Sequence, residues 1–142
     1  MAVKSIGRAH WEGDLATGNG TASMDTGVGG PMQITWNARA EDHGGLTSPE
    51  ELIAAAHASC YSMAFSARLG KAGASSITLD TEATATFVPG EGITGMDLTV
   101  RARVEGISEE DFKSLAEDAK ENCPVSQALK GNVPITLDAS LV

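Results

Sequence analysis

The sequence predicts an α+β fold in a single domain spanning residues 1–142, and three observations predict it. An Ala-, Leu- and Met-rich stretch, Pro49–Leu69, opens on a capping sequence and ends at Gly70, the pattern of one long helix. Residues 76–88 and 93–104 alternate polar and apolar side chains on either side of the turn Pro89-Gly90-Glu91-Gly92, the pattern of a hairpin. Strand-like and helix-like segments come in separate groups instead of alternating, which separates α+β from α/β.

Taken in order, residues 1–12 alternate loosely and read as a strand. Residues 20–26 and 33–41 read as two more, parted by the turn Gly27-Val28-Gly29-Gly30-Pro31. Gly18-Asn19-Gly20 reads as a turn and not a phosphate loop, because no buried strand and helix flank it. Asp42–Leu46 is a polar, Gly-rich loop. Ser48-Pro49-Glu50-Glu51 then combines a capping serine, a proline at the first helical position and a glutamate at the third. The helix that follows carries almost no charge between Glu51 and Arg68, so it is expected to be buried nearly all round. After the hairpin, Ser108 begins a second helix with acids in its first turn, where the helix dipole favours them. Cys123-Pro124 breaks that helix and starts a short third one. A strand over residues 133–142 closes the chain.

Composition narrows the function. Residues 1–142 suffice to bury a core, and with aromatics at 4% that core must rest on aliphatic side chains, with Met24, Met63 and Met96 as fillers. A net charge of −9 repels phosphate backbones and anionic lipid, which argues against nucleic-acid and membrane partners. No run approaches the roughly 18 apolar residues of a membrane span. The first residues lack an apolar signal core, so a cytoplasmic location is expected. In a reducing compartment a permanent structural disulfide is not expected, and two cysteines are too few for a Cys-only zinc site.

Cys60 and Cys123 are therefore either inert thiols or a redox pair. Cys60 lies mid-helix in an apolar stretch, and from position alone it reads better as a small core residue. Cys123 precedes Pro124 at a helix cap, where backbone N–H groups favour a thiolate. A thiol peroxidase needs a thiolate, a cation to hold it and polarise the O–O bond, and a second thiol to trap the sulfenic acid. Arg39 and Arg8 are candidate cations. On sequence alone Arg39 reads better as a solvent-facing partner of Glu41 or Asp42. Glu50 sits in the first helical turn, where it stabilises the dipole. It precedes Cys60 by ten residues, about 15 Å along a helix axis, so it cannot touch Cys60 of its own chain. Either a long arginine bridges that gap or a second chain brings a glutamate. His57, three residues before Cys60, could pair with it or join both cysteines in a metal site, but reads better as a satisfied helix histidine.

The segment from Ser48 through Cys60 to Ala64 resembles the central helix of the OsmC/Ohr family of organic hydroperoxide reductases. Cys123-Pro-Val-Ser-Gln-Ala-Leu resembles the family's second cysteine motif, and His10-Trp-Glu-Gly-Asp14 its OsmC branch. The resemblance implies an OsmC-like fold, with antiparallel sheets around the long central helix, and an intertwined homodimer with active sites at its interface. It implies that Cys60 is the peroxidatic cysteine, Cys123 the resolving one, Glu50 the family's glutamate and Arg39 the OsmC branch's arginine. Two positions depart from the pattern. Arg39-Ala40-Glu41 stands where Arg-Phe-Glu is usual, and Tyr61 where Phe is common.

The expected chemistry is reduction of organic hydroperoxides, and of hydrogen peroxide, through a Cys60 sulfenate and a Cys60–Cys123 disulfide. Arg39, oriented by Glu50, is expected to lower the Cys60 pKa, and apolar Ile53, Met63 and Phe65 to favour alkyl substrates. An external dithiol, in this family often a lipoylated protein, would regenerate the thiols. No cofactor and no metal are called for. The alternatives are a non-enzymatic thiol redox sensor, a small-ligand carrier, or a metal module built on His57, Cys60 and Cys123.

Overall fold

A computed structural model describes all residues, Met1–Val142. They sort into two compact units, Met1–Leu52 and Ile53–Val142.

The first unit holds a three-stranded antiparallel sheet in the order β1 (Gly7–Glu12), β2 (Asn19–Met24), β3 (Met32–Ile34). Gly20 belongs to β2 instead of a turn, opposite Trp11. A Cβ there would lie 2.1 Å from the His10 carbonyl and 2.9 Å from the Trp11 ring, so only glycine fits. The strand expected over 33–41 stops at Ile34. The Thr35 hydroxyl accepts the Ala38 N–H at 3.1 Å and caps a helical turn, α1 (Trp36–Ala40). A local cap thus outcompetes the alternating pattern, and Arg39 rides on a helix.

The long helix, α2 (Pro49–Lys71), begins in the first unit and runs through the second. Ser48 caps it as expected, its Oγ accepting the Glu51 N–H at 3.1 Å. The Glu51 carboxylate accepts the Thr47 hydroxyl at 2.6 Å. The helix is not buried all round. Glu50, Ala54, His57, Tyr61, Phe65 and Leu69 form one buried stripe at helical spacing, whereas Ala55, Ala56, Ser59, Met63 and Ala67 are exposed. The absence of charge on that second face is therefore not explained by burial within the chain.

The second unit carries the hairpin β4 (Ser76–Val88) and β5 (Gly92–Glu105), in antiparallel register with one irregularity at Thr86/Phe87. Met96, Leu98, Val100 and Ala102 alternate inward from β5. Two helices follow, α3 (Glu109–Asn122), capped by Ser108, and α4 (Pro124–Leu129). They carry the chain back so that β6 (Ile135–Leu141) pairs with β5 in parallel, making this sheet mixed where antiparallel pairing was expected.

Its core joins Tyr61, Phe65 and Leu69 of α2 to Leu98, Val100 and Ala102 of β5 and to Phe112, Ala116 and Ala119 of α3. The Phe65 ring lies 5.7 Å from Tyr61 and 5.2 Å from Phe112, both tilted, a favourable aromatic geometry. Of the three expected methionine fillers only Met96 is buried; Met24 and Met63 are exposed. No helix is long and apolar enough to cross a membrane.

Replacing the fully buried Phe65 by alanine is expected to cost about 3–5 kcal/mol, read as a lowered urea midpoint. Ser108→Ala, which removes only the cap of α3, should cost about 1 kcal/mol in the same measurement.

Candidate active site

The two cysteines meet in the second unit. Cys60 projects from the middle of α2, half-buried, and Cys123 occupies the corner between α3 and α4, fully buried. Both are free thiols. The Cys123 Sγ–H donates to Cys60 Sγ at 3.0 Å. The α3 stripe of Phe112, Ala116 and Ala119 continues into Cys123 and docks on α2, which is how distant parts of the chain place two sulfurs together.

The expected benefit of the α4 cap goes to a different sulfur than the sequence suggests. Cys123 is the N-cap of α4 but its side chain makes no capping bond. The Val125 N–H instead donates to Cys60 and pulls that thiol's pKa down. Burial outweighs it, and the hydrogen bond and charge of Cys123 add to burial, so the net direction for Cys60 is upward. Within this arrangement the expected lowering is absent.

Arg39 and Glu50 meet in the first unit. Arg39 Nε donates to both carboxylate oxygens of Glu50, at 3.0 and 3.2 Å, and Nη2 donates to Oε1 at 2.7 Å. The Glu50 side chain is 6% exposed and the Arg39 side chain 36%, so the pair is a forked ion pair with one end buried. Glu50 therefore binds an arginine of its own chain. Arg8, the other candidate cation, pairs with Asp25 at 2.6 Å in an exposed position.

Arg39 also forms part of the wall of a cavity of about 310 Å³, together with Trp11, Leu15, Ile34 and Trp36. This cavity brings together both tryptophans of the chain. Sequence reasoning missed it, because its residues come from three separate segments. Of the apolar residues expected beside Cys60, Phe65 is sealed in the core, and Met63 faces outward, where it lines an open groove with Ile77 and Leu79.

His57 is fully buried, and its Nε2 pairs with the Ser126 hydroxyl at 2.8 Å. Burial holds its pKa below the ordinary value. Its Nδ1 finds no hydrogen-bond partner. His57, Cys60 and Cys123 do not gather into a metal-ligand set. Ser126 carried no signal in the sequence beyond lying in the motif around Cys123.

Comparison with known proteins places this geometry. Residues 42–138 match the family model for OsmC-like protein. The chain is 43% identical over 144 aligned residues to Peroxiredoxin OsmC of Escherichia coli (strain K12), covering 99% of each. It is 32% identical to the organic hydroperoxide resistance protein OhrA of Bacillus subtilis (strain 168) over 66% of this chain and 67% of that one. The crystal structure of an organic hydroperoxide resistance protein OsmC from Legionella pneumophila superposes with a TM-score of 0.70 at 25% identity, covering 99% of this chain and 98% of that one. With the cysteine pair in its two family motifs and the likeness running along the whole chain, the protein belongs to the OsmC family.

Proposed function

We propose that the protein is a Cys-based peroxidase that reduces organic hydroperoxides, with Cys60 as nucleophile and Cys123 as resolving thiol. One observation carries this reading: two free thiols lie 3.0 Å apart, one half-buried and one fully buried. The E. coli relative's name, Peroxiredoxin OsmC, and the match over 99% of both chains support it, and support one functional domain over residues 1–142.

The Cys60 thiolate attacks a peroxide oxygen. An S–O bond forms, the O–O bond breaks, and the leaving alkoxide takes a proton and departs as alcohol. Sulfur is oxidised by two electrons and the peroxide reduced by two. The Cys123 thiol then attacks the Cys60 sulfenic acid, forming the disulfide and releasing water. An external dithiol, small or lipoylated, returns both cysteines to thiols by exchange. A free thiol pair of this kind suits a reducing compartment such as the cytoplasm.

Arg39 supplies the positive charge that the Cys60 thiolate needs, and Glu50 fixes the direction of the guanidinium. Burial raises the Cys60 thiol, and a cation beside the sulfur would offset that. The apolar cavity with Arg39 in its wall favours an alkyl or aryl hydroperoxide over hydrogen peroxide, since a bare peroxide gains nothing from apolar walls. Hydrogen peroxide remains a poorer substrate.

The protein works as a homodimer. The exposed Ala55, Ala56, Met63 and Ala67 face of α2 is an apolar helix surface without charge, of the kind a second copy buries. The Arg39–Glu50 pair enters the site as one group, and the helical distance from Glu50 to Cys60 leaves room for it to come from the partner chain.

Cys60→Ser should abolish consumption of cumene hydroperoxide with a dithiol. Cys123→Ser should consume one equivalent to form the Cys60 sulfenic acid and, with excess peroxide, a second to form the sulfinic acid. Normal turnover by Cys60→Ser would end the proposal, and failure of the wild type to turn over repeatedly would favour a redox sensor. In Arg39→Ala the midpoint for alkylation of Cys60 should move to higher pH than in wild type, because the burial that raises the thiol is no longer offset; an unchanged midpoint would exclude Arg39 as the cation. Met63→Glu should shift the sedimenting species from dimer to monomer.

A further inference from the structure

His57 and Ser126 form a second bridge beside the cysteine pair, between the same two helices. His57 precedes Cys60 by three residues on α2, and Ser126 follows Cys123 by three at the start of α4. One helical turn separates the members of each set, so the His57–Ser126 bond at 2.8 Å and the Cys60–Cys123 contact at 3.0 Å are neighbouring rungs. On the other side of Cys60, the Tyr61 hydroxyl donates to the Ala116 carbonyl of α3 at 3.1 Å. The residues flanking Cys60 on α2 thus grip the chain both before and after Cys123.

The pair is an odd choice for stability alone. His57 is 0% exposed and Ser126 3%, with one imidazole nitrogen left unpartnered. Buried polar groups are disfavoured against apolar ones of similar size unless fully satisfied. What the bond adds is direction, because a hydrogen bond fixes the register of two helices where apolar contacts let them slide. Register matters here. Cys123 Sγ and the Val125 N–H, both at the start of α4, converge on the Cys60 sulfur.

We propose that the buried His57–Ser126 hydrogen bond is a positioning latch that holds the start of α4 in register with α2, so that Cys123 captures the Cys60 sulfenic acid before a second peroxide does. Neither residue touches the peroxide. The latch rests on the reading of Cys60 as peroxidatic and Cys123 as resolving, and adds a residue pair that acts mainly on the second step, its effect on the first limited to the single Val125 N–H at the Cys60 sulfur. Capture forms the S–S bond and releases water; a second peroxide would instead oxidise Cys60 to sulfinic acid. Small displacements of a reacting group cost large factors in rate, so a loosened α4 should slow capture steeply, while the first attack loses only the weak help of the Val125 N–H.

The test uses reduced full-length protein, one equivalent of cumene hydroperoxide, dimedone to trap sulfenic acid, and mass spectrometry to follow the disulfide. Ser126→Ala should form the sulfenic acid within about twofold of the wild-type rate but close the disulfide at least about tenfold more slowly. With excess peroxide it should accumulate more sulfinic acid on Cys60. Ser126→Thr, which keeps the hydroxyl, should restore fast closure, and His57→Leu should behave as Ser126→Ala does. Wild-type closure in Ser126→Ala and His57→Leu would overturn the latch. So would an equal loss of both steps in Ser126→Ala, the mark of a general loss of fold. A wild-type protein that forms no sulfenic acid would instead overturn the reading of Cys60, and the latch with it.

Discussion

The docking of α3 on the buried stripe of α2 is the contact on which the thiol chemistry depends. Tyr61, Phe65 and Leu69 on one side, and Phe112, Ala116 and Ala119 on the other, are all at most 1% exposed. Small alanines opposite large aromatics let the two helices approach closely, with the rings filling the space between. The α3 stripe ends at Cys123, so the hydrophobic free energy that folds this unit also delivers the second sulfur to the first. Reactivity is thus built on a packed scaffold and not on a mobile loop.

The same packing sets the chemical problem. Burial makes a thiolate on Cys60 expensive, and the sulfur of Cys123 makes it more so. A single backbone N–H offsets only part of this. In the other unit the Arg39 guanidinium is gripped by a carboxylate that is itself buried. The forked geometry holds the guanidinium plane fixed, which a lysine in the same place would not achieve.

The α2 helix has two faces that the sequence does not separate. Ala, Ser and Met on the outer side are as free of charge as the residues on the inner side, so the run reads as uniformly buried. The chain alone buries one stripe. Hydropathy reports that a surface avoids charge, and is silent on whether its cover comes from the same chain or another. The strand expected across residues 33–41 failed for a different reason. Alternation over so short a stretch is weak, and one threonine hydroxyl at position 35 suffices to start a helical turn.

The sequence by itself determined the α+β class, the long capped helix, the hairpin and the two cysteine motifs, because these rest on local periodicity, caps and turn residues. It also held the pairing of Arg39 and Glu50 as one candidate among several. Tertiary structure alone decided that the two sulfurs face each other, that the free N–H of α4 serves Cys60 and not Cys123, and that β6 runs parallel to β5. It alone matched His57 with Ser126 and walled a cavity with Trp11 and Trp36. Each of these joins residues far apart in the chain, and no local pattern encodes such a distance; it is fixed only when the core packs.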